Sequence, residues 1–113
     1  MIGQPAIKVI TGQRRSGKSF LLQSIVQQYD LHRVVMIDFE LKTFDELRDK
    51  DKLYKYIKQH NSHIPLIAID EIQECVGREK VMVSLLKEFP DTEIWITGSN
   101  SSILANDLTT NIR

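Results

Sequence analysis

Residues 7–22 read IKVITGQRRSGKSFLL. Within them, Gly12-Gln13-Arg14-Arg15-Ser16-Gly17-Lys18-Ser19 fits the pattern G-x-x-x-x-G-K-[ST]. On one side lies Ala6 to Ile10, a short run rich in β-branched residues that reads as a strand. On the other, Lys18 to Tyr29 carries Leu21, Leu22, Ile25, Val26 and Tyr29 at helical spacing. A glycine-rich turn between strand and helix is what a phosphate cradle requires. Glycine lets the backbone aim several N–H groups inward. The helix N-terminus adds the positive end of its dipole. Lys18 is placed to neutralise β- and γ-phosphates, and the Ser19 hydroxyl to ligate Mg²⁺. Arg14 and Arg15 are further cations of the loop, one for phosphate and one for solvent. A chance match in a glycine-containing turn is the competing reading, and the placement between strand and helix weighs against it.

The rest of the chain repeats this alternation. Val34 to Asp38 is a second strand candidate, and Asp45 to His60 reads as one helix or two short ones. Pro65 opens a third strand, Leu66 to Asp70. Met82, Leu85, Leu86 and Phe89 follow helical spacing until Pro90 stops it. Glu93 to Thr97 is a fourth strand, and Ser101 to Leu108 a short last helix capped by Asn100 or Ser101. Alternating strands and helices predict an α/β fold, a three-layer α/β/α sandwich around a parallel sheet. The strands are apolar throughout rather than alternating, as strands buried on both faces are. Such sheets bind ligands beyond the carboxyl ends of their strands, where Gly12 to Ser19, Asp70-Glu71 and Thr97 to Asn100 all fall.

Leu66 to Glu71 is an apolar strand ending in two carboxylates. Beside a phosphate cradle, Asp70 is assigned to the metal shell and Glu71 to the attacking water. The plain alternative is that acids end a strand at the surface. Among the polar residues ending the fourth strand, Ser99 is the first choice for contact with the γ-phosphate or the water, then Asn100 and Thr97. Those residues equally suit a turn and a helix cap.

Together the cradle TGQRRSGKSFLL, the strand IAIDEIQ and the segment WITGSNSSIL resemble the AAA-type ATPases of the ASCE division. Within it they are most similar to the bacterial and archaeal AAA_14 group, usually paired with a carboxy-terminal domain of the DUF4143 type. The resemblance runs from Ile7 to the last residue. It implies one P-loop ATPase core over residues 1–113 that binds ATP or ADP with Mg²⁺ and hydrolyses ATP. The catalytic residues would be Glu71, Lys18 and Ser99. The nucleotide would be held by Gly12, Gln13, Arg14, Arg15, Ser16, Gly17, Lys18, Ser19 and Phe20, and the metal by Ser19 and Asp70. The absence of an NKxD guanine signature also favours ATP over GTP. The resemblance further implies a strand order 2-3-4-1, with a fifth strand outside strand one. The chain ends at Arg113, before such a strand is expected, so it reads as a truncated core with the edge of strand one bare. Self-association through that edge is expected. Asn111-Ile112-Arg113 resembles the start of a family segment whose arginine is a candidate finger.

The 113 residues suit a single domain, and balanced charge (15 basic, 15 acidic) gives no support for a nucleic-acid or anionic-membrane partner within these residues. A nucleic-acid surface would have to lie in regions beyond them. No stretch approaches the ~18 apolar residues of a membrane span, and the single Cys75 excludes an internal disulfide. A cytoplasmic location is expected. His32, His60 and His63 show no ligand pattern, Trp95 reads as core, and Arg78 as a surface residue paired with Glu74 or Glu79 rather than a finger. Glu40 is balanced between the nucleotide site and the surface. Against the ATPase reading stand a non-catalytic ATP/ADP switch module, the motor of a nucleic-acid-associated regulator, and a small-molecule kinase. The DE pair disfavours the last.

Overall fold

Five short segments rich in β-branched residues share one sheet because each must satisfy its backbone groups sideways, and the first four also bury side chains in the core. The computed structural model describes residues 7–12, 17–60, 64–99 and 109–112. Its elements run β1 (Ile7–Thr11), α1 (Lys18–Val26), β2 (Val35–Asp38), α2 (Lys50–Lys58), β3 (Leu66–Asp70), α3 (Arg78–Glu88), β4 (Glu93–Gly98) and β5 (Thr109–Ile112). All pairings are parallel, in the order β2-β3-β4-β1-β5. The first four strands therefore take the expected 2-3-4-1 order.

The expectation of a missing fifth strand is corrected. Thr109–Ile112 pairs with β1 in register from Ile7↔Thr109 to Ile10↔Ile112. Its sequence, TTNI, lacks the apolar run that marks a strand buried on both faces. An outermost strand with one neighbour does not need that run, and its threonines and isoleucine are β-branched. β1 is consequently a central strand, so the bare edge on which self-association was expected to rest is covered.

The sheet divides two apolar layers. Ile7, Val9, Ile37, Ile67, Ile69, Ile94 and Ile96 pack under Leu53 and Ile57 of α2 and Val81, Met82 and Leu85 of α3. On the other face Ile10, Leu66 and Ala68 meet Leu22 and Val26 of α1, with Trp95 half-buried against them. The stretch 45–60, expected as one helix or two short ones, divides into a 3-10 segment, Lys42–Arg48, and α2. Asp49 separates them, its carboxylate accepting from the N–H groups of Asp51 and Lys52 at 3.0 Å. An N-cap of this kind fixes where the α-helix can begin. α1 ends at Val26, earlier than the Tyr29 expected from spacing. The candidate helix 101–108 lies outside the described residues, as do Asn100 and Arg113. No helix among the described residues is long and apolar enough to cross a membrane.

Candidate functional site

α1 opens on Gly17, whose φ of 94° lies in the left-handed region. A Cβ at this position would meet nothing within 4 Å, so the backbone conformation and not space calls for glycine. Gly17 offers no side-chain cap and the first turn carries no acid. The amino-terminal N–H groups of α1 are thereby left to a ligand. Gln13, Arg14, Arg15 and Ser16 lie outside the described residues. Of the other cradle residues, Gly17, Lys18 and Ser19 line a cavity of about 320 Å³ together with Glu40 and Glu71, and Gly12 is not among its described lining residues.

β3 delivers the acids. It is buried along its whole length, and Asp70 and Glu71 are each 1% exposed. Glu71 leaves the strand with φ 62° and ψ 54°, a left-handed conformation unusual for a side-chain-bearing residue. That sharp turn brings its carboxylate onto the Lys18 ammonium; the pair is bonded through Oε2 and almost fully buried. The other oxygen, Oε1, accepts from Gln73 Nε2. Ser19 Oγ donates to Asp70 Oδ2 at 2.6 Å. A hydroxyl and a carboxylate in contact are oxygen donors of the kind a hard divalent cation takes. In this chain, Ser19 and Asp70 are thus together, as the sequence implied.

β4 supplies a residue ranked low from sequence. Thr97, fully buried, donates its hydroxyl to Asp70 Oδ1 and accepts the Glu71 N–H at 2.9 Å. One hydroxyl holds both members of the acidic pair. Ser99, the favoured candidate, is exposed and is not among the described residues lining the cavity. Phe20, 76% exposed, is likewise not among those lining residues, so its part in a site would come from its backbone at the start of α1.

β2 adds two acids. Asp38 lies in register with Asp70 on the adjacent strand. Its Oδ1 accepts the Glu40 N–H at 2.9 Å. Asp38, Glu40 and Asp70 each place one carboxylate oxygen within 4.8 Å of the others. Burial pushes the Asp38 pKa up, and the charges of Asp70 and Glu71 push it further against the lowering effect of the Glu40 N–H. Sequence left Glu40 undecided and passed over Asp38. The available signal was that β2 and β3 both end in aspartate, which matters only once the two strands are neighbours.

Arg48 ties together the loops that carry these acids. It donates to the Phe39 carbonyl at 3.0 Å and to Glu74 at 2.9 Å, while Val76 N–H donates to its carbonyl at 2.8 Å. Arg78 is half-buried and donates to the Cys75 carbonyl at 3.2 Å. His32 and His60 are exposed, and His63 is outside the described residues. Cys75 is fully buried, which raises its thiol pKa to about 11.

The AAA_14 family, described as an AAA domain, matches residues 4–113. An uncharacterised protein of Haemophilus influenzae is 34% identical over 112 residues, a match that covers 92% of this chain and 28% of that protein. The chain therefore spans little more than a quarter of the length of that relative. A crystal structure of a DNA replication initiation factor superposes with a TM-score of 0.62 at 15% identity, covering 96% of this chain and 40% of the other. AMPPCP-bound DnaA from Aquifex aeolicus superposes with a TM-score of 0.59 at 16% identity, covering 97% and 40%. At these identities the two structures establish a shared fold.

Proposed function

Because the chain belongs to the AAA_14 family of AAA domains, we propose that it binds ATP in the cavity beside Gly17–Ser19 and hydrolyses it with Mg²⁺. One observation carries the reading: Lys18 and Ser19 at the start of α1 meet Asp70 and Glu71 at the end of β3, two segments far apart in the chain, and Lys18, Ser19 and Glu71 line one cavity beyond the carboxyl ends of β1 and β3. The AMPPCP held by the similar DnaA structure points the same way.

The chain's own groups divide the work. Lys18 passes from Glu71 to the β- and γ-phosphates, which outcompete one carboxylate for an ammonium by their charge. Glu71 then accepts a proton from water through Oε2. The water oxygen bonds to the γ-phosphorus as the bond from that phosphorus to the β–γ bridging oxygen breaks, and ADP leaves with the electron pair. Ser19 and Asp70 would hold Mg²⁺, which when bound neutralises charge on the phosphates. Thr97 keeps Asp70 and Glu71 in fixed relation. The cost of that order is met on folding, as preorganised catalysis requires.

A second reading, binding without turnover, is favoured by the burial of Glu71 against Lys18, which commits the base to another partner. Calorimetric titration with Mg·ATP and Mg·GTP tests the common premise. Lys18→Ala is made in a Glu71→Gln background, so that no buried carboxylate is deprived of its cation. Saturable ATP binding that is lost with Lys18 supports the cradle; unchanged binding would sink it. A phosphate-release assay with Glu71→Gln then separates enzyme from switch.

A further inference from the structure

The proposed reaction needs Glu71 to stay aimed after Lys18 has left it. Lys18 holds Oε2, and in the proposed reaction the phosphates take that cation away. Oε1 has a different partner, the Gln73 amide. Two residues along a chain do not ordinarily face each other. Here the left-handed turn at Glu71 and the 3-10 segment Ile72–Glu74 fold the chain back on itself. Backbone bonds from Glu74 N–H to the Glu71 carbonyl (3.1 Å) and from Cys75 N–H to the Ile72 carbonyl (3.0 Å) close that turn, and fully buried Ile72 and Cys75 anchor it.

The orientation of the amide is informative. Gln73 Oε1 is buried and has no hydrogen-bond partner among the described residues. Flipping the amide would set its carbonyl against the carboxylate, lone pair against lone pair, so the donor must face Glu71. The fold leaves one acceptor unsatisfied to present that donor. The donor is also neutral. It leaves the carboxylate its charge and does not compete with Lys18 for phosphate, whereas an arginine there would neutralise the carboxylate and draw the phosphates to itself.

We propose that Gln73 is a positioning residue: its amide holds Glu71 Oε1 throughout the cycle, so that Oε2 faces the water once Lys18 has moved to the phosphates. This rests on the hydrolytic reading above. The sequence shows Gln73 only as the last letter of IAIDEIQ; its role comes from the turn.

The test has two arms, both on the 113-residue chain. In the first, the Gln73 side-chain amide is followed by nuclear magnetic resonance. One Nε2 proton should be shifted downfield and protected from exchange relative to exposed glutamines. It should stay so when Mg·AMPPCP saturates the chain and lose both properties in Glu71→Ala. A Gln73 signal matching exposed glutamines in the unsubstituted chain, or one that collapses on nucleotide addition, overturns the proposal. In the second, Gln73→Leu and the isosteric Gln73→Glu are compared in steady-state hydrolysis. Each should lower kcat by about tenfold or more while KM stays within about twofold, the pattern of a lost transition-state contact. Unchanged kcat, or a change confined to KM, overturns it. If the unsubstituted chain shows no turnover, the hydrolytic reading fails by itself and the resonance arm still decides whether Gln73 holds Glu71.

Discussion

Replacing Thr97 by valine keeps the shape of the side chain and removes one buried hydroxyl. That hydroxyl donates to the Asp70 carboxylate and accepts the Glu71 N–H at 2.9 Å, with Thr97 fully buried. A bond to a charged group contributes about 1.5–3 kcal/mol net and a neutral one about 1 kcal/mol. Valine adds an apolar methyl in a polar setting and recovers little. The expected loss is about 2–4 kcal/mol, a large share of the roughly 5–15 kcal/mol that holds a domain together. Thr97→Ser keeps the hydroxyl and loses one methyl, for about 1 kcal/mol. Urea denaturation followed by circular dichroism should therefore order the chains as unsubstituted, serine, valine. With a slope of about 2 kcal/mol/M, the middle of the usual range, the valine midpoint should fall by roughly 1–2 M. The valine variant should also bind Mg·ATP more weakly than the serine variant. If valine proves as stable as serine, Thr97 does not hold the acidic pair and the reasoning is refuted.

Lys18→Met removes the cation from a buried carboxylate and should cost about 3–5 kcal/mol; joining it with Glu71→Leu should return most of that loss. A urea midpoint for the single variant equal to that of the unsubstituted chain would show that the pair carries no structural weight. Asp38 has a raised pKa, so the folded chain binds more protons than the unfolded one from the ordinary value of 3.8 upward. Its ionisation thus erodes stability as pH rises through that window. Asp38→Asn retains an acceptor for the Glu40 N–H and should be more stable than the unsubstituted chain at about pH 7, the two converging in acid below the carboxylate range; denaturation midpoints at both pH values check this. Cys75, raised from 9.0 to about 11, should hold roughly 100-fold less thiolate than an unfolded chain at neutral pH. Iodoacetamide should label it in urea and hardly in native buffer; equal rates would contradict its burial.

The local elements were legible because each is written in a short stretch. The helical spacing of Leu22 and Val26, the run Leu66 to Asp70, and glycine at position 17 each satisfy a local physical demand. The start of α1 at Lys18 and the acidic end of β3 were legible for the same reason, since each is written in adjacent residues. β5 was not, because an outermost strand lacks the apolar pattern by which buried strands are recognised.

The functional partnerships depended on distance across the sheet. Thr97 and Glu71 are separated by 26 residues, Lys18 and Glu71 by 53. Nothing in a linear spacing distinguishes Thr97 from Ser99, two residues away. Thr97 lies within β4 and is buried against Asp70, while Ser99 follows the last residue of the strand, Gly98, and is exposed. Asp38 acquires meaning only when β2 lies beside β3 with both aspartates level. Gln73 reaches Glu71 only through a left-handed backbone turn that no preference of glutamate foretells. The amino-acid order determined which chemistry is present and where each element begins, because those depend on neighbours along the chain. Tertiary structure decided which polar atoms meet, because burial, strand register and the direction of one turn arise only when distant segments share a core.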